Sequence, residues 1–135
     1  MIHHALHHEG KSVTADLSAS TKAGLMTSAV EALALAMEPT PGPEKEVERA
    51  FSVEAADFKE LMEVLVQAAI DTGIERKETY DGVRFSLITA TKAAGEFIGR
   101  PIETRGVHVT TAQLRQDVAK SDEGAWTTKI EFFTK

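Results

Sequence analysis

SVTADLSASTKAGLMTSAVEALALAMEPTPGP, Ser12 to Pro43, contains a strand, a helix start, a helix and a helix stop in direct succession. Val13, Ala15, Leu17 and Ala19 alternate with polar residues, which is the period-two pattern of a half-buried strand from Ser12 to Ser20. Ser20 and Thr21 are good helix caps, because a short hydroxyl side chain can accept from the free N–H groups of the first turn. From Thr21 to Met37, Leu25, Met26, Ala29, Val30, Leu33 and Met37 recur at three- and four-residue steps, predicting an amphipathic helix with one core face. Pro39, Pro41 and Pro43 stop it, since proline lacks the amide donor and clashes with the preceding turn.

Moving outward, Glu48 to Glu54 alternates again and reads as a strand. Asp57 followed by Glu60 forms an acidic capping box for a second helix, with Phe58, Leu61, Met62, Leu65, Ala68 and Ala69 as its apolar stripe. Its end is expected near Asp71, with Gly73 beyond it. Asp81-Gly82 predicts a hairpin joining strands at Ile74 to Thr79 and Val83 to Thr89. Ala93 to Thr104, with Gly95, Gly99 and Pro101, reads as a connecting loop, and Val107 to Val118 as one long strand. Trp126, Thr128, Ile130 and Phe132 alternate with Thr127, Lys129, Glu131 and Phe133 in a last strand. The expected class is α+β: one mostly antiparallel sheet with two amphipathic helices packed on one face.

A chain of 135 residues, 42% apolar and 27% charged, is expected to form a single domain over residues 1–135. Its longest nearly apolar run, Ala29 to Met37, is far below the roughly 20 residues of a membrane span. No basic stretch followed by an apolar one opens the chain, so no secretory signal is expected. Cysteine is absent, which removes disulfides and thiolate metal sites and fits a reducing, cytoplasmic setting. The net charge of −6 argues against direct capture of nucleic acid.

No nucleophile elbow, Walker loop, GxGxxG or HExxH is present, and no catalytic residue is assigned. Arg100, Arg105 and His108 are candidates for a small anion site, although exposed basic residues are the simpler reading. HHALHHEGK, His3 to Lys11, holds four of the five histidines. Residues four apart on a strand lie about 13 Å apart. A shared zinc needs imidazole nitrogens about 2.0–2.1 Å from the ion. His3 with His7, or His4 with His8, could therefore share a metal on a helix but hardly on a strand.

Taken together the chain resembles the archease family. The resemblance rests on the strand pair and the Thr21 to Met37 helix before a proline break, and on Val53-Glu54-Ala55-Ala56-Asp57-Phe58-Lys59-Glu60-Leu61. GEFIGRPIETRG at Gly95 to Gly106 and GAWTTKIEFF at Gly124 to Phe133 complete it. It implies a small acidic accessory protein that assists a tRNA-splicing RNA ligase, through a protein partner and not through a membrane. It also implies a site for calcium or another divalent cation, built from the aspartate of an N-terminal H-T-A-D motif and a second aspartate at the end of the last strand. Two registers are open for the motif. In one, His8-Glu9-Gly10-Lys11 takes its place and Lys11 replaces the aspartate. In the other, Thr14-Ala15-Asp16 matches T-A-D after a deletion of about four residues. In both, Phe132 or Phe133 stands where the second aspartate belongs. The candidate binding residues are His8, Glu9, Lys11 and Asp16, around a degenerate metal site. No cofactor is expected unless the Asp16 register preserves one. The alternative is a divergent binding module for a small molecule or protein, without a ligase role. Oligomeric state is left open.

Overall fold

The computed structural model describes residues 3–41 and 46–134; the side chains of residues 3–5, 8, 9, 41 and 105 lie outside the described set. The strand and helix expected at the start are present. β1 (His3–Glu9) turns through Gly10 and Lys11 into β2 (Ser12–Ala19), which buries Val13, Ala15, Leu17 and Ala19. α1 (Lys22–Met37) follows, with Thr21 Oγ1 accepting from Gly24 N at 2.9 Å. β3 (Pro39–Pro41), β4 (Val47–Glu54), α2 (Phe58–Arg76), β5 (Glu78–Ile88), β6 (Lys92–Arg105), β7 (Val109–Leu114), β8 (Ala119–Lys120) and β9 (Trp126–Thr134) complete the order. Asp57 caps α2 as expected, its Oδ1 accepting from Glu60 N at 2.8 Å.

The α+β class and the antiparallel pairing hold, but the strands form two sheets. One has the order β1-β2-β9-β7 with β8 on β9; in the other, β3, β4 and β5 all pair with β6. Both helices touch both sheets: α1 meets β1, β2 and β9 on one side and β5 on the other, while α2 meets β7 as well as β4, β5 and β6. The core face expected of α1 is present, with Leu25, Met26, Ala29, Val30, Leu33 and Met37 all buried. It is wider than a single-sheet contact needs: Ser28, Ala32, Ala34 and Ala36 are buried as well, and the residues left less buried, Gly24, Thr27, Glu31 and Leu35, follow one stripe. A helix wedged between two sheets buries more of its circumference, and small residues such as the alanines allow that close approach.

Three further expectations are corrected. α2 continues past Gly73 to Arg76 and is closed by Lys77 in the left-handed conformation (φ 55°). Gly73 is buried inside the helix, so it serves packing and not termination. Asp81-Gly82 is no hairpin turn: Tyr80 pairs with Gly99 and Gly82 with Ile98, so Asp81 is the extra residue of a bulge within β5. Val107 to Val118 is likewise interrupted, by a bend between β7 and β8.

The largest correction is that the expected Ala93–Thr104 loop is β6, the strand to which β3, β4 and β5 are all bonded. Its glycines admit the neighbouring backbone. A Cβ on Gly99 would lie 1.8 Å from Thr79 O, and one on Gly95 2.0 Å from Arg84 O. Pro101 is tolerated for a specific reason. Ile102 N donates to Lys77 O on the β5 side, so the neighbouring Pro101 nitrogen faces the opposite side. There the pairing with β4 stops at Gly99 and that with β3 starts at Ile102, so among the described residues no ladder bond is lost.

Candidate functional site

The outer face of the first sheet is polar, because the even-numbered residues of β2 point away from the core that buries the odd ones. Asp16 stands on this face, opposite Ala5 on one side and Lys129 on the other. Its carboxylate lies 3.3 Å from His7 Nε2 and 3.6 Å from Lys129 Nζ. Arg115 Nε is 3.3 Å from Glu131 Oε1. His7, Thr14, Arg115, Lys129 and Glu131 line an open, polar cavity of about 300 Å³. Sequence reading singled out Asp16 but not Arg115, Lys129 or Glu131. Lys129 and Glu131 were legible as the polar members of the last strand's alternation. Arg115, just beyond β7, has no local signal and is brought in by Arg115 N donating to Lys129 O at 2.7 Å.

Lys11 lies elsewhere. It is exposed in the β1–β2 turn, and its carbonyl accepts from Thr134 N at 2.8 Å and Thr134 Oγ1 at 2.7 Å. The N-terminal hairpin and the end of β9 therefore meet at one corner, and Lys11 is the candidate that stands there. Asp16 is five residues further along β2, about 16 Å at the usual strand rise. The two residues belong to separate places. The side chains of His8 and Glu9 lie outside the described residues.

The cation that the archease resemblance implies does not fit the donors described at this corner, the side chains of His8 and Glu9 lying outside the described residues. Lys11 brings an ammonium, and its carbonyl oxygen already accepts from both Thr134 N and Thr134 Oγ1. Phe132 is fully buried in the core and not directed at the corner. A hard cation prefers several carboxylate or carbonyl oxygens. Asp16, the other candidate, has the Lys129 ammonium beside its carboxylate and His7 Nε2 within 3.3 Å. Among the described residues no three His, Asp or Glu side chains gather in a metal-binding group.

Two other polar places complete the picture. His108 lines a cavity of about 410 Å³ with Lys77, Ile102, Glu103 and Thr104; the side chain of Arg105 lies outside the described residues, and Arg100 is exposed on β6. Inside, Arg49 on β4 reaches across β6 to grip Glu78 with Nε and Nη2, and Tyr80 Oη donates to Glu78 Oε1 at 2.7 Å. Glu78 is only 3% exposed. The Arg49 hydrogen bonds hold its carboxyl below the ordinary carboxylate range, outweighing burial. Burial, then the Glu78 carboxylate, push the Tyr80 hydroxyl upward. A carboxyl depressed in the folded state adds stability above its unfolded value of about 4.3, and that stability is lost as pH falls through the lower folded value. The difference in urea midpoint between the wild type and Glu78→Gln is thus expected to be largest near pH 7 and to shrink at about pH 3. An equal difference at both pH values would show that the ion pair does not control it.

Two helices held between two antiparallel sheets, with the first hairpin bonded to the end of the last strand, define an archease-type α+β fold. The chain is similar over its whole length to the crystal structure of an archease, described as a possible chaperone, from Thermotoga maritima: TM-score 0.63, 17% identity, 98% of this chain and 100% of that one. It is also similar to the solution structure of protein 1598 of Methanobacterium thermoautotrophicum, with TM-score 0.63, 8% identity, and coverage of 96% of this chain and 97% of that one. No protein-family model and no curated protein matches the sequence. At these identities the likeness is one of fold. Among the described residues no helix is long and apolar enough to cross a membrane, which says nothing of strands.

Proposed function

We propose that this chain is a non-catalytic accessory protein that acts by binding a protein partner, the partner being a tRNA-splicing RNA ligase. The observation that carries the reading is the full-length likeness to an archease structure, with 98% and 100% of the two chains covered. The polar outer face of the first sheet, where exposed Arg115 and partly exposed Asp16, Lys129 and Glu131 alternate in sign, gives a partner directional contacts and not a broad basic surface. On this reading the Lys11–Thr134 corner works without a bound divalent cation, since its described donors suit none. The test is RNA joining by a purified ligase at limiting enzyme, with and without this chain. A rise in multiple-turnover joining is expected; unchanged turnover at several-fold molar excess of the chain would overturn the reading.

A second reading is favoured by the same Lys11, which in one of the two registers takes the place of a metal aspartate and here bonds to Thr134 at the end of the last strand. It makes the chain a divergent binding module on this fold, with a small-molecule or protein ligand and no ligase role. A thermal-shift screen that returns a ligand, together with an inert ligase assay, would select it.

A further inference from the structure

The sheet edges of this molecule are unequally protected. Exposed edges invite pairing with another strand, and proteins blunt them with prolines, charges, bulges or a covering element. β7 is clasped by α2: Glu63 Oε2 accepts from Leu114 N at 2.8 Å and Gln67 Nε2 donates to Thr110 O at 3.1 Å. β3 carries Pro39 and Pro41, β5 is broken by two bulges, and β4 carries Glu48, Arg49 and Glu54. β1 is seven residues long, pairs without a bulge to β2 alone among the described residues, and contains neither proline nor lysine.

The hydrogen-bond parity of β1 follows from the far end of the sheet. Thr134 N donates to Lys11 O, so the odd residues of β2 turn their backbone groups toward β9 and the even ones toward β1. Ser12, Thr14, Asp16 and Ser18 face Glu9, His7, Ala5 and His3. The backbone groups of His4, Leu6 and His8 therefore point outward, three evenly spaced donor–acceptor sets with no strand beside them among the described residues.

We infer that β1 is the interface through which a second copy of this chain pairs antiparallel, with the two-fold axis at Leu6. The outward parity permits only registers in which even residues face even residues. Of these, the one centred on Leu6 uses the whole strand from His3 to Glu9: Leu6 meets Leu6 of the second copy, His4 meets His8, and Glu9 meets His3. Leu6 is half-buried against the core, so the pairing joins the apolar edges of two cores. In this register position 9 falls opposite position 3, so two glutamates are never placed in register. A two-fold contact uses the same edge on both copies and closes on itself, so association stops at the dimer, the other edges being guarded.

Sedimentation equilibrium on the full chain is expected to give a mass twice 14.6 kDa, returning to 14.6 kDa in His4→Pro and His8→Pro, which remove outward donors. Circular dichroism checks that these variants stay folded. Independently, Leu6→Cys places the chain's sole thiols across the axis, about 5.5 Å apart at Cα, a span a disulfide bridges. Mild oxidation is expected to link that variant into a dimer and to leave Ser86→Cys monomeric. A monomer at about 0.5 mM, a dimer indifferent to both prolines, or equal cross-linking of the two cysteine variants would overturn the inference. So would a monomer that instead captures an extended peptide of another protein on this edge.

Discussion

Gly99→Ala is expected to cost this chain about 4 kcal/mol or more, enough to leave little of it folded. The added methyl would lie 1.8 Å from Thr79 O and 2.7 Å from Tyr80 Cα, and both are backbone atoms. No rotamer change relieves the contact; β5 must move off β6. That displacement would break pairings on the strand that joins β3, β4 and β5, and disturb Glu78 and Tyr80 at the same point. Gly82→Ala is the matched control. Its methyl would meet Ile98 Cβ at 3.8 Å, an ordinary van der Waals contact, and it sits in the same hairpin. Far-UV circular dichroism and urea unfolding of the two variants check this. A Gly99→Ala protein as stable as Gly82→Ala would mean that β5 and β6 do not approach as closely as described.

Phe97→Ala is expected to cost about 3–5 kcal/mol. Phe97 is 1% exposed and lies in an aromatic stack, with ring centroids 4.4 Å from Phe51 and 5.3 Å from Tyr80. Truncation removes the transfer energy of a buried ring and leaves a cavity between two rings fixed by their own strands, so the site collapses poorly. Phe51→Ala, at a half-buried ring on β4, is expected to cost less. Urea unfolding midpoints decide between them, and a larger loss for Phe51→Ala would sink the assignment of Phe97 as the centre of the stack.

Both predictions fall on β6, the element least legible in the sequence. Gly95, Gly99 and Pro101 are loop residues by composition. Each has its explanation only in a neighbour: two glycines because β5 passes too close for a Cβ, and a proline because its nitrogen faces the gap between β3 and β4. Asp81-Gly82 misleads for a related reason, since a bulge and a hairpin turn use the same residues. Gly73 reads as a helix stop because the core that buries it is assembled from distant segments. By contrast β2, β4 and β9 were plain from alternation, and the starts of α1 and α2 from Thr21 and Asp57, because caps and periodicity are local. The site divides in the same way. Asp16 could be named from the sequence, but its partners His7 and Lys129 come from two other strands, and Arg115 follows a bend with no local mark.

The α+β class, the starts of both helices and the buried faces of β2 and β9 were therefore determined by the sequence itself, through spacings that act within a few residues. The division into two sheets, the wedging of α1 between them, the separation of Lys11 from Asp16 and the open edge of β1 were decided only by the tertiary structure. Strand pairing and close backbone approach depend on residues far apart in the chain, and the pattern of a single segment does not record which partner it will meet.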